Sequence, residues 1–185
     1  MNIRVEGKQE RALKTRKAIQ SAYDRLALTK AFDEISISAI AIEAGVGKGT
    51  VLAHYSEKLA LPAALFAQKL DELCDHIAQM PDDISPKELI DPLVQFLDFA
   101  FSDDVYGRIM LWDGHDICER IIGPVEARFY AVIAVHLPPS KDLRTDQKLE
   151  ILRAFLVHAI VMHRACQSAE DTKDQFENLM LATLF

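Results

Sequence analysis

Residues 45–50 read Gly-Val-Gly-Lys-Gly-Thr, a glycine-rich run with one cation and one hydroxyl, and two chemistries use such a set. In the first, backbone amides cradle a nucleotide's phosphates, a lysine reaches the β and γ groups, and the hydroxyl directly after it holds magnesium. That loop requires G-x-x-x-x-G-K-[ST]. Here Gly49 follows Lys48 where Ser or Thr is needed, and the first glycine of the pattern falls on Ile42. In the second chemistry, short polar side chains at the start of a helix face a DNA duplex and glycine admits its close approach. No G-x-S-x-G elbow or H-E-x-x-H zinc motif appears elsewhere, so no enzyme is expected and no cofactor is assigned. Two H-x-x-C pairs, His115/Cys118 and His163/Cys166, have a spacing that one helical face could use for a metal. Nothing in the sequence brings the pairs together, and no metal site is assigned.

The elements that must position these residues follow from periodicity. Ile19, Ala22, Tyr23 and Leu26 fall at i, i+3, i+4 and i+7 of a helix over Arg11–Leu28, with Lys14, Arg16, Lys17 and Arg25 largely off that face. The run Ile-Ser-Ile-Ser-Ala-Ile-Ala-Ile (35–42) is β-branched enough to suggest a strand, but Ile37, Ile40, Ala41 and Ala44 fit a helix, and the alternation breaks at Ala39–Ile40. Ser36 is the expected N-cap and Gly45 the left-handed stop. A second short helix, Lys48–Tyr55, buries Val51 and Tyr55, and the pair makes a helix-turn-helix with Ala41, Ala44, Val46 and Val51 as core. Ser56 is read as the cap of a fourth helix reaching Gln79, with Pro62 kinking it or shifting its start. Further helices are expected near 86–101, 104–113 and 117–136, the last disturbed by Gly123–Pro124. Thr145–Ser168 and Thr172–Leu184 follow, the last opened by a Thr172/Gln175 capping box.

The expected fold is therefore all-α: a three-helix head over residues 1–56 and a larger helical body over 57–185, about nine helices in total. Half of the residues are hydrophobic, 26% are charged, and Gly and Pro number seven each, which suits a folded helical protein. The net charge of -7 is unevenly spread. Residues 1–70 carry 11 Lys and Arg against 7 Asp and Glu, whereas residues 71–185 carry 10 against 21. A phosphate-bearing partner would meet a basic head and an acidic body. Three widely spaced cysteines, a polar N-terminal stretch and apolar runs too short to span a bilayer predict a cytoplasmic protein with no membrane partner.

Over about the first 65 residues the chain resembles the TetR family of bacterial transcriptional regulators. The resemblance lies in Phe32, Ser36, Ile40–Ala41, Ala44–Gly45–Val46, Lys48–Gly49–Thr50, His54–Tyr55 and Lys58, with Thr15–Arg16 ahead of Ile19 and Ala22. Two positions depart from the pattern: Gly47 stands where a capping Ser is usual, and Leu52 where a Tyr often contacts phosphate. The resemblance implies a DNA-binding regulator, most commonly a repressor. A recognition helix presents its N-terminal residues to base edges while flanking cations and hydroxyls hold phosphates. Ser38, Lys48, Gly49 and Thr50 are expected to face DNA; Arg16, Ser36, His54 and Lys58 are expected on phosphates, with the Tyr55 hydroxyl beside them.

One helix-turn-helix reads few base pairs, so a homodimer on a palindromic double-stranded operator is expected. Its interface is assigned to the last two helices through Leu152, Phe155, Leu156, Ala159, Phe176, Leu179, Met180 and Leu184, the competing reading being intramolecular core. The resemblance further implies that an unknown small-molecule effector binds within the body and releases DNA. Phe96, Phe99, Met110, Trp112, Phe129 and His158 are the expected lining, with Asp98 or Glu126 as polar anchor. A body that serves as a protein-interaction surface or a metal sensor is the alternative, and an enzyme with a nonlocal site comes behind it.

Overall fold

The computed structural model describes the backbone of residues 3–111 and 115–185, and side chains over 9–111 and 116–185. Among the described residues every regular element is helical and no strand occurs. The chain divides into two compact units, Met1–Pro62 and Ala63–Phe185, so the division falls six residues beyond the one expected from sequence.

The first unit holds α1 (Ile3–Ala27), a 3-10 turn (Phe32–Glu34), α2 (Ile37–Glu43) and α3 (Lys48–His54). Helix α1 starts eight residues before the expected Arg11. Ile19, Ala22 and Tyr23 of α1 are buried with Phe32, Ile35, Ile40, Ala41, Val51 and Tyr55, while Ala44 and Val46, expected in the core, are half-buried. Burying a side chain of Ile or Tyr size stabilises by about 1.5–3 kcal/mol, so this small core holds three short segments that would not be helical alone. Outside it, Arg25 ties α1 to α2, its Nε donating to Glu43 Oε1 at 2.7 Å.

The turn from α2 to α3 is closed by a Schellman arrangement. Gly45 takes φ +67°, its N–H donates to Ile42 O at 3.1 Å, and the N–H of Val46 donates to Ala41 O at 3.0 Å. Glycine is required there because an L side chain is strained at positive φ. The isoleucine-rich run is thus the end of a 3-10 turn and a helix, and the strand that a nucleotide loop would need is absent from it.

Helix α4 (Ala60–Ile77) begins three residues before the unit boundary and four after the expected Ser56 cap. That shift places Pro62 in the first turn, where its missing N–H has no intrahelical acceptor to lose. The second unit continues with α5 (Pro86–Phe101), α6 (Asp104–Met110), α7 (His115–His136), α8 (Thr145–Arg164) and α9 (Ala169–Leu184). Helix α5 opens on a capping box in which Ser85 N donates to Glu88 Oε2 at 2.7 Å and Glu88 N to Ser85 Oγ at 3.3 Å. Helix α7 runs through Gly123–Pro124 without interruption. Helix α9 starts at the Ser168 cap, one turn before the Thr172/Gln175 box expected from sequence; Thr172 is buried inside the helix and donates its hydroxyl to Ser168 O at 2.8 Å.

Leu152, Leu156 and Ala159 of α8 and Phe176, Met180 and Leu184 of α9 lie in the core of this unit, each at most 8% exposed within a single chain. These six therefore correct the interface assigned from sequence: the two helices bury one another and α5, and periodicity could not distinguish that from burial against a second copy. Phe155 and Leu179 alone of the eight are half-exposed. On the same stripe of α8 as Leu152, Lys148 is 3% exposed, and its Nζ donates to Pro138 O at 2.9 Å and to Leu184 O at 2.7 Å.

Candidate nucleic-acid interface and ligand cavity

In the first unit the residues expected to face DNA fall into two sets. Ser38 on α2 and Lys48, Gly49 and Thr50 in the first turn of α3 are all exposed. Gly47 caps α3 in extended geometry (φ -75°, ψ 149°) with no side-chain hydrogen bond, as its lack of a hydroxyl dictates. Gly49 has no intramolecular reason to be glycine: its φ is ordinary, and an added Cβ would meet nothing within 4 Å. Ser36 caps α2, its Oγ accepting from Ala39 N at 3.0 Å. That bond uses a lone pair and leaves the hydroxyl hydrogen free to donate outward.

The second set is engaged within the fold. Tyr55 is 2% exposed, its hydroxyl accepts from Arg16 Nε at 3.3 Å, and the Arg16 guanidinium lies 5.7 Å from the ring centre. Burial raises the Tyr55 pKa above the usual phenol value, and the hydrogen bond from Arg16 opposes that rise. The Tyr55 ring is therefore a core residue, as its packing role from sequence anticipates, and its hydroxyl accepts from Arg16 with its own hydrogen left to donate. The Lys58 ammonium sits 4.1 Å from the centre of the Phe32 ring, a cation–π contact that fixes it while leaving it half-exposed. His54 is half-buried at the end of α3.

In the second unit a cavity opens between α4, α5, α6, α7 and α8, offering about 70 Å³ to the centre of a water-sized molecule. Phe66 and Leu70 of α4, Leu93 and Phe96 of α5, and Ile109 and Met110 of α6 form one side; Cys118, Ile122 and Phe129 of α7 and Leu156 and Val157 of α8 form the other. Its polar groups are Glu126 and Tyr130, one turn apart on α7, and Arg153 on α8. The Tyr130 hydroxyl donates to Glu126 Oε1 at 3.4 Å. Burial first, then the Glu126 charge, pushes the Tyr130 pKa far above its usual value, so the phenol is neutral at physiological pH.

Of the lining expected from sequence, Phe96, Met110, Phe129 and the anchor Glu126 border this cavity. Phe99 does not: it stacks beside Tyr106 at 4.3 Å between ring centres and also meets Phe66. His158 faces solvent, and Asp98 is exposed and paired with Lys173. Trp112 lies outside the described residues. Sequence reasoning missed Phe66, Tyr130 and Arg153. Tyr130 was legible as the residue one turn past Glu126 and next to Phe129, whereas Arg153 sits in a helix whose apolar stripe drew attention away from its polar edge.

Of the two H-x-x-C pairs, the described side chains are Cys118, His163 and Cys166, and these form no metal-ligand group. The His115 side chain is outside the described residues, Cys118 is buried at the cavity, and His163 stacks on Phe101 at 4.0 Å between ring centres. Cys166 leaves the helical face altogether, at φ +71° beyond the end of α8. Among the described residues no group of three His, Cys, Asp or Glu side chains could hold a metal ion, and no helix is long and apolar enough to cross a membrane. No family model matches the chain, and no curated protein matches it.

Proposed function

We propose that this chain is a DNA-binding transcriptional regulator of the TetR type, reading double-stranded DNA with α3 and taking a small effector in the cavity of its second unit. The observation that carries the reading is Gly49. A glycine near the start of a helix, with ordinary φ and open space beside it, weakens the fold without serving it, and it lies between two exposed polar residues, Lys48 and Thr50. Close approach by an external backbone accounts for it. Ser38, Lys48 and Thr50 face base edges; Ser36, Arg16, His54 and Lys58 supply phosphate contacts, each of which makes binding salt-dependent.

Selection of bound sites from a random duplex library, followed by titration at several salt concentrations, tests this. Gly49→Ala separates function from stability: it raises stability by about 0.5–1 kcal/mol and weakens binding to the selected duplex. Lys48→Ala and Thr50→Ala lower affinity, by about 1–3 kcal/mol where a base-edge contact is lost. A selected duplex bound equally well by all three variants removes α3 from the interface and this reading with it.

A palindromic operator calls for a homodimer, and the outward face of α8 and α9 supports one. Phe155, His158 and Met162 follow each other at helical spacing, with Leu179 on α9 also half-exposed. Repression is the common outcome for this type of head, and release by effector requires that the effector bind the DNA-incompetent state more tightly.

A further inference from the structure

We infer that the cavity of the second unit takes a small uncharged molecule: an apolar ring or short chain ending in one head group that both donates and accepts a hydrogen bond, of which a carboxamide is the simplest case. This rests on the proposed function only in treating the cavity as the effector site, and it names the chemical class of that effector.

The apolar body follows from the walls. Phe66, Phe96 and Phe129 contribute ring surface, and Met110 and Ile122 adaptable aliphatic surface. The 70 Å³ available is about half of the roughly 150 Å³ that holds a benzene ring in an apolar core, so a six-membered ring enters as the flexible Met110 and Ile122 side chains give way, with its head group at the polar corner.

The head group follows from the polar corner. Glu126 is an acceptor that has committed one oxygen to the Tyr130 hydroxyl. Arg153 is a donor, and among the described residues neither its guanidinium nor the Glu126 carboxylate has an ion-pair partner within 4.0 Å. A carboxylate head would gain Arg153 and confront Glu126; an ammonium head would gain Glu126 and confront Arg153. Arg153 is exposed and Glu126 half-buried, so this corner lies at the mouth of the cavity, and the like-charge contact is what sets either ion behind a neutral head. A carboxamide meets no like charge, because its N–H donates to the carboxylate and its C=O accepts from the guanidinium.

Four probes share one ring and differ in the head: benzamide, benzoate, benzylammonium and toluene. Each is titrated at neutral pH into the full chain, followed through the methyl resonances of Met110, Ile109 and Ile122, which report on the cavity itself. Benzamide is expected to bind about tenfold tighter than either ion, and toluene more weakly than benzamide. Glu126→Gln removes the repulsion that excludes benzoate and raises its affinity selectively; Arg153→Gln does the same for benzylammonium. Either ion binding the native chain as tightly as benzamide, toluene matching benzamide, or no probe moving the three methyl groups overturns the inference. So does an unchanged ranking in both variants when circular dichroism shows them folded. No DNA enters the titration, so failure of the chain to bind DNA leaves this result standing, and failure here leaves the DNA reading intact.

Discussion

Lys148 offers the sharpest test of how the second unit is held together. Its ammonium is 3% exposed and donates to Leu184 O, at the end of α9, and to Pro138 O, in the loop ahead of α8. Carbonyls in the last turn of a helix lack intrahelical donors and lie at the negative end of the helix dipole, so one cation satisfies α9 and pins the loop together. Lys148→Met keeps most of the length and the apolar stem and removes the ammonium, with both its charge and its two hydrogen bonds. Hydrogen bonds from a charged donor contribute about 1.5–3 kcal/mol each, giving a gross loss of about 3–6 kcal/mol for two. Relief from burying an ammonium offsets part of that, leaving a net loss of about 2–4 kcal/mol. For a chain of this size that lowers Tm by roughly 4–16 °C. Urea unfolding followed at 222 nm, with unchanged slope, measures it. Lys173→Met, which breaks a pair with the exposed Asp98, is the control and should lose no more than ~1 kcal/mol. A Lys148→Met loss no larger than the control's would refute the argument, because the carbonyls would then be satisfied equally well by water.

Two left-handed positions should respond in opposite directions. Gly45→Ala forces a Cβ into φ +67° and should destabilise the first unit by about 1–2 kcal/mol, whereas Cys166→Gly relieves φ +71° at the end of α8 and should stabilise the second by up to ~1 kcal/mol, both read by denaturant unfolding. Gly47→Ser restores a capping hydroxyl at an extended residue where a new Cβ meets only Thr50 Oγ1, at 3.8 Å; thermal unfolding should show a gain of ~0.5–1 kcal/mol. A thiol reagent at pH 8 should modify Cys166 fast and Cys74 only on unfolding, since Cys166 is exposed and Cys74 is fully buried. Burial pushes the Cys74 thiol from 9.0 up to about 11. A raised acid pKa favours the protonated folded state, so stability is undiminished below pH 9 and declines as pH climbs from there through about 11. An equal rate at both thiols would show the second unit to be open.

Where one local rule acted without a competitor, the fold was legible. Ser36 with Gly45 bracketed α2, and the helix expected near 86–101 is α5 over Pro86–Phe101. Where two rules offered the same end, tertiary packing chose. Ser168 and Thr172 stand one turn apart, and the helix starts at the Ser168 cap, which buries Thr172 within it and turns its hydroxyl back onto Ser168 O. Lys148 stands four residues before Leu152 and eight before Leu156, in register with the buried stripe, which was a sequence signal for a buried cation. Its partners are backbone carbonyls of the distant Pro138 and Leu184, and no side-chain pattern announces those.

The ends of α2 and α8 show why one turn could be read and its twin could not. Both close with the same pair of bonds: Val46 N to Ala41 O and Gly45 N to Ile42 O in one, Gln167 N to Met162 O and Cys166 N to His163 O in the other. At the first the left-handed residue is glycine, and the sequence displays the requirement. At the second it is cysteine, strained by about 1–2 kcal/mol, so the stop must be imposed by what lies on either side. Gly107 of α6 supplies one such constraint, since a Cβ there would come within 3.3 Å of Ile160 and 3.4 Å of Arg164, the last turns of α8. Arg164 also pairs with Asp104 at 3.3 Å, and Ser168 begins the next helix two residues beyond the cysteine. The end of α8 is thus set by its packing on α6 and by the cap of α9. Gly107→Leu should therefore push α8 away and weaken the second unit far more than a surface change, and Cys166→Gly should recover part of that loss if the turn, once relieved, adapts.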